Sequence, residues 1–73
     1  SNQMERQTVE SSLATSVGYE PSTSTLEIEF KSNGAVWQYY AVPESVYNEM
    51  MTGSIGKYFL ANIKGQYVES QVG

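Results

Sequence analysis

Seventy-three residues suffice for one small domain, and 40% hydrophobic with 16% charged residues is the composition of a folded chain. The chain has neither cysteine nor histidine, which excludes disulfides, cysteine nucleophiles, histidine-based triads and zinc sites built from these residues. Eight acidic residues against four basic ones give a net charge of −4, whereas strong nucleic-acid binders present many cations to phosphates.

The two ends of the chain carry no regular pattern. Ser1 and Asn2 are typical of a cloning remnant, and residues 1–8 are interpreted as a disordered arm. Residues 69–73 are expected to fray, which leaves residues 9–68 as a single domain. Because no signal-like or membrane-spanning stretch is recognisable, we expect a cytoplasmic protein with no membrane partner.

Three segments are predicted to be strands of an antiparallel sheet. The first, residues 13–19, is weakly patterned and leads into a turn-rich stretch. The second has the clearest pattern, because three apolar residues alternate with three charged ones over residues 26–31. Asn33 and Gly34 supply a hairpin turn, and residues 35–42 return as the third strand.

Two helices are predicted after the strands. Pro43 suits the first turn of a helix, and the apolar positions up to Met51 lie on one helical face. Ser54 is expected to cap a second helix, which Gly65 ends. The sequence thus predicts an α+β fold in the order β-β-β-α-α, a three-stranded antiparallel sheet with both helices packed on one face. The shared core is expected to contain Leu26, Ile28, Phe30, Val46, Met50, Phe59 and Ile63.

The segment before Tyr58 has a superficial likeness to a phosphate-binding loop. That motif needs a glycine where the chain has Met51 and a serine or threonine where it has Tyr58. Ser54 and Lys57 have the spacing of a Ser–Lys dyad, but at the start of a helix Lys57 is expected to point into water. A capping role is the better interpretation of Ser54.

Glu27 and Glu29 lie on one face of the second strand, about 7 Å apart by the rise per residue. Carboxylates at that spacing are able to share acid–base chemistry or to bind a hard cation. Because Lys31 continues the same face, we interpret it as a mixed-charge surface in contact with water. We therefore expect no catalytic residues, no cofactor, no metal site and no enzymatic activity.

Six tyrosines, two phenylalanines and one tryptophan are too many rings for so small a core to hide completely. The rings either cover the core with their hydroxyl groups in water or bind a protein or a nucleic-acid base. Tyr39 and Tyr40 point to opposite sides of a strand, so one of them is expected at the surface. Lys57 and Lys64 lie two helical turns apart, which predicts one shared face. The candidate binding surface comprises Tyr19, Trp37, Tyr39, Tyr40, Lys57, Tyr58 and Lys64.

An ordered series of short motifs runs through most of the chain. It comprises Gly18-Tyr19, Leu26-x-Ile28-x-Phe30, Asn33-Gly34, Trp37-x-Tyr39, Val42-Pro43, Tyr47, Ser54-x-Gly56-Lys57-Tyr58-Phe59, Ile63 and Tyr67. Over residues 9–67 this series resembles the KTSC domain family, named for its occurrence at the C-terminus of some lysyl-tRNA synthetases. Members of the family also occur as small free-standing bacterial and phage proteins.

The resemblance adds one functional hypothesis to those from composition. It implies RNA or tRNA binding, which here would be centred on Lys57, Lys64 and an exposed tyrosine. The chain departs from the family where Leu60, Ala61 and Asn62 replace a run that is polar and basic in many relatives. Two lysines neutralise about two phosphates, fewer than a strong binder requires. The favoured hypothesis is therefore a non-catalytic protein-interaction or accessory module, with weak RNA or tRNA binding as the alternative.

Overall fold

A computed structural model describes residues 4–73. The expected remnant at Ser1 and Asn2 lies outside these residues. Over the described range the chain forms an α+β fold with five strands and two helices. In chain order the elements are β1 (Gln7–Thr8), β2 (Ala14–Glu20), β3 (Thr25–Phe30), β4 (Val36–Tyr39), α1 (Glu44–Met51), α2 (Ile55–Asn62) and β5 (Glu69–Gln71).

The strands form one antiparallel sheet in the order β1-β2-β3-β4-β5, with both helices inserted between β4 and β5. Val17, Ile28 and Trp37 lie opposite one another on neighbouring strands, so their side chains share one face. That face packs against the helices, and neither helix of residues 4–73 is long and apolar enough to cross a membrane.

The predicted hairpin between β3 and β4 is confirmed. Gly34 has a φ of +73°, a conformation that glycine adopts without steric penalty, and its N–H donates to the carbonyl of Phe30 at 2.9 Å. The Asn33 side chain accepts a hydrogen bond from the N–H of Ala35 at 3.0 Å. The dipeptide therefore sets the register in which Ile28 meets Trp37.

The predicted helices are also confirmed. Pro43 precedes α1, and the Ser54 hydroxyl caps α2 by accepting a hydrogen bond from the N–H of Lys57 at 3.2 Å. Of the seven predicted core residues, Leu26, Ile28, Met50, Phe59 and Ile63 are buried, while Phe30 and Val46 are partly buried and pack against them.

The prediction of only three strands is wrong. The arm contributes β1, which pairs with β2, and the tail that was expected to fray contributes β5, which pairs with β4 at the opposite edge. Both added strands are short, and all their residues are exposed. Because neither strand has a buried face, neither shows the alternation of apolar and polar residues by which a strand is recognised.

Candidate functional site

A depression of about 510 Å³ lies between β4 and the end of α2. Its base includes the buried rings of Tyr39 and Phe59. We call it the aromatic groove, and its walls include Leu13, Phe30, Trp37, Leu60, Lys64 and Tyr67. Three residues of the predicted binding surface, Trp37, Tyr39 and Lys64, are therefore brought together here.

The base of the aromatic groove is held in place by edge-to-face ring contacts. The ring centroid of Phe59 lies 5.5 Å from that of Phe30 and 5.4 Å from that of Tyr39, with interplanar angles of 66° and 76°. Burial, and secondly the negative charge of Glu69, raises the pKa of Tyr39 to about 12. The groove thus has a dry base, with Lys64 and Glu69 among the residues around it.

Lys64 reaches the groove because α2 has already ended. Its N–H donates to the carbonyl of Phe59 at 2.9 Å, and Gly65 follows with a φ of +76°, which is typical of a helix C-terminus. The prediction that Lys57 and Lys64 share a helical face is therefore wrong. α2 ends at Asn62, before the second turn that would bring residue 64 onto the face of Lys57 is complete.

Lys57 and Tyr58 lie instead beside a separate depression of about 410 Å³, together with Glu49 and Ser54. Removal from water, and secondly Glu49, raises the pKa of Tyr58 above its ordinary value. The two lysines of the predicted surface therefore line different depressions.

Tyr19 is engaged within the fold. Its ring stacks on Tyr47 with centroids 4.8 Å apart and an interplanar angle of 11°, and its hydroxyl donates to the carbonyl of Val42 at 2.5 Å. These contacts join β2 to the start of α1. The structure gives this tyrosine a packing role beside the predicted core.

The sheet face opposite the helices carries a hydrogen-bonded polar network. Ser16 lies opposite Glu29 across β2 and β3, and Gln38 lies opposite Glu27 across β3 and β4. Glu27 forms a salt bridge with Arg6 and accepts a hydrogen bond from Gln38 at 2.8 Å. We call this surface the polar face, and its network comprises Arg6, Ser16, Glu27, Glu29, Gln38 and Tyr40.

The interpretation of Glu27 and Glu29 as a water-exposed pair is wrong for Glu27, which is 4% exposed. The main reason is Arg6. Its side chain extends across β2 and contacts both the carboxylate of Glu27 and the hydroxyl of Ser16, the latter at 2.9 Å. Tyr40 donates to Gln38 at 2.9 Å, which places this predicted surface residue on the polar face and away from the aromatic groove.

Sequence reasoning missed Arg6, Ser16 and Gln38 as members of one cluster. The three residues come from β2, β4 and the arm, and no spacing in the sequence relates them. The signal that was available is Gly18, a glycine inside a strand, which indicates that another backbone approaches closely. Among residues 4–73 no group of three or more acidic residues is placed to hold a metal ion.

Comparison with known proteins identifies the family of the chain. The family model of the KTSC domain matches residues 10–67. The chain belongs to the KTSC domain family. A crystal structure of a KTSC domain protein from Yersinia pestis superimposes with a TM-score of 0.90 at 39% identity, covering 97% of this chain and 100% of that one.

Two relatives show the settings in which this domain sequence occurs. An uncharacterised protein of Stutzerimonas stutzeri is 38% identical over 65 residues, which cover 88% of this chain and 90% of that protein. A lysine–tRNA ligase of a Nostoc species is 44% identical over 55 residues, which are 74% of this chain but 10% of the ligase. KTSC sequences thus occur both as nearly the whole of a small protein and as a small part of a large one.

Proposed function

We propose that this KTSC domain is a non-catalytic protein-interaction module whose partner docks in the aromatic groove. The observation that supports the proposal is the character of the groove, a concave surface lined by rings and by Leu60, whose side chain is 56% exposed. An exposed aliphatic side chain that lines a groove with buried rings forms an apolar surface that another protein is able to bury.

The residues of the groove are those that contribute most at protein interfaces. Trp37 and Tyr67 are partly buried, so they are held in place yet able to contact a partner. Tryptophan and tyrosine dominate the binding energy of many interfaces when a surrounding rim excludes water. Lys64 beside the groove favours a partner that brings a carboxylate next to its apolar anchor.

The proposal includes the absence of catalysis. Serine and carboxylate groups of the polar face hydrogen-bond to one another, and the buried carboxylate of Glu27 is bound by Arg6 and Gln38. Such groups are committed to the fold instead of being poised beside a nucleophile. We place the module in the cytoplasm, free-standing or appended to a larger chain, the latter on the similarity to the Nostoc ligase.

A peptide selection tests this proposal. Random 12-residue peptides displayed on phage are selected on the full chain and then screened against Leu60→Asp, with Ala61→Asp as the matched control. Both variants add one charge to the exposed surface of α2, but only residue 60 lines the groove. We expect enriched peptides with bulky apolar anchors that lose at least about tenfold in affinity for Leu60→Asp and bind Ala61→Asp normally. Peptides that bind both variants equally would refute the groove as the docking surface.

RNA or tRNA binding is a second candidate, supported by the resemblance to a segment of a lysine–tRNA ligase. It would rest on Lys57, Lys64 and an exposed tyrosine. Fluorescence anisotropy with a labelled single-stranded RNA and with tRNA at several salt concentrations tests it. Contact with two phosphates predicts a slope of about −1.4 to −2 for log K against log salt. This slope should flatten when both lysines become alanine but not with Lys31→Ala. No binding at low salt would reject this candidate.

A further inference from the structure

The N-terminal segment of residues 4–8 lies on the polar face as an extended strand held by few contacts. β1 pairs with β2 through only two residue pairs, Gln7 with Val17 and Thr8 with Ser16. Beyond this pairing, the main anchor is the Arg6 side chain, which crosses β2 to reach Glu27 on β3. The segment therefore binds the sheet as a short peptide ligand would, by backbone pairing at an edge and one side-chain anchor.

The N-terminal segment occupies only part of the concave surface on which it lies. A depression of about 750 Å³ remains on the polar face, bounded on one side by Arg6 and on the other by the chain at Val72 and Gly73. Two carboxylates, Glu27 and Glu29, line it, and Arg6 is the cation among its lining residues. The surface is thus complementary to a positively charged, extended chain.

We propose that the polar face is a binding site for an extended protein segment that carries an arginine, and that residues 4–8 occupy this site in the unbound domain. A partner segment would pair with the β2 edge and place its guanidinium between Glu27 and Ser16, where that of Arg6 now lies. The resident segment acts as a tethered competitor, since a short tether raises its effective concentration to about the millimolar range. This site lies on the sheet face opposite the aromatic groove and is independent of the function proposed for that groove.

The site is specific for arginine because two different nitrogens of the guanidinium group contact two different partners. One nitrogen of the Arg6 guanidinium, Nη1, reaches the Glu27 carboxylate, while a second, Nε, donates to the Ser16 hydroxyl at 2.9 Å. Lysine has a single ammonium group and does not reproduce this fork. Gly18 supplies the close approach, because a Cβ there would lie 2.1 Å from the Glu5 carbonyl oxygen of the segment.

Peptide binding to the full chain tests the proposal. The probe is a fluorescently labelled peptide with the sequence of residues 4–10, and a control peptide has glutamine in place of its arginine. The hosts are the unmodified chain, Arg6→Gln, and Lys31→Gln. The last removes an equal charge at an exposed residue that follows the end of β3, and so does not continue the face of Glu27 and Glu29 as the sequence suggested. We expect the arginine peptide to bind Arg6→Gln at least about tenfold more tightly than the other two hosts, and the control peptide to bind at least about tenfold more weakly.

Two results would overturn the proposal. One is equal affinity for the three hosts or for the two peptides, and the other is no binding to a folded Arg6→Gln domain up to 1 mM peptide. Should Arg6→Gln fail to fold, hydrogen exchange of the unmodified chain decides. The N–H of Val9, bonded to Thr15 at 3.2 Å, should exchange at least about tenfold faster than that of Phe30, bonded to Ala35 at 2.9 Å. Equal protection of both amides would show that the segment leaves the sheet only when the whole domain unfolds.

Discussion

Gly18 lies directly beneath the backbone of Glu5, and a Cβ at residue 18 would come within 2.1 Å of the Glu5 carbonyl oxygen. The same Cβ would lie 3.2 Å from the side chain of Arg6. This contact allows the N-terminal segment to cross the sheet closely enough for Arg6 to reach Glu27. Because residue 18 of β2 has no side chain, Arg6 is able to pair with the buried carboxylate of Glu27 in β3. Without that partner the buried charge would be strongly destabilising.

Gly18→Ala should displace residues 4–8 and lower the free energy of unfolding by about 1–3 kcal/mol, because the new methyl group overlaps backbone that is already packed. Urea denaturation followed by circular dichroism measures this loss. Gly53→Ala is the matched control, since a Cβ at residue 53 meets no atom within 4 Å. An effect of Gly18→Ala no larger than that of Gly53→Ala would contradict the close approach.

Ala41→Gly should stabilise the domain by about 1 kcal/mol. Ala41 connects β4 to α1 with a φ of +56°, a left-handed conformation that a Cβ disfavours and glycine adopts readily. Ala61→Gly in α2 should have the opposite sign and lose about 1 kcal/mol, because glycine is a poor residue inside a helix. Thermal and urea unfolding of the two variants measure the change in stability and its sign. Destabilisation by Ala41→Gly would contradict the left-handed conformation of residue 41.

Stability should fall as the pH rises from about 10 to about 12. The folded domain raises the pKa of Tyr39 from 10.0 to about 12, chiefly by burial, so the unfolded chain loses this proton first. Proton release then favours unfolding, by about 1 kcal/mol at pH 11. Urea denaturation at pH 8 and pH 11 measures the difference, and Tyr39→Phe should show a smaller loss between the two. An identical pH dependence in the variant would assign the effect to other groups.

The central elements were predictable because burial imposes a period. Leu26 and Ile28 alternate with charged residues, and Gly34 and Gly65 mark chain reversals, so the middle strands and both helices follow from local pattern. The polar face was not predictable in the same way. The pairing of Arg6 with Glu27 joins residues 21 positions apart, and it depends on a strand of only two residues.

The candidate site was predicted only in part, because its residues also come together through the fold. Trp37, Tyr39 and Lys64 were proposed from residue type alone, and the fold brings them together around one groove. Residue type does not encode which face of the sheet a ring occupies, and the single-residue step from Tyr39 to Tyr40 changes that face. It also does not reveal that α2 ends before Lys64.

The most direct test of the proposed interaction uses Trp37, the single tryptophan of the chain, as a reporter inside the aromatic groove. A peptide selected for binding, and itself free of tryptophan, is titrated into the full chain while Trp37 emission and its quenching by acrylamide are recorded. If the partner docks in the groove, the emission maximum shifts to the blue and acrylamide quenching decreases, with saturation at the affinity measured independently. Leu60→Asp abolishes both changes, and Ala61→Asp preserves them. Saturable binding that leaves Trp37 emission and quenching unchanged would contradict the proposed role of the groove.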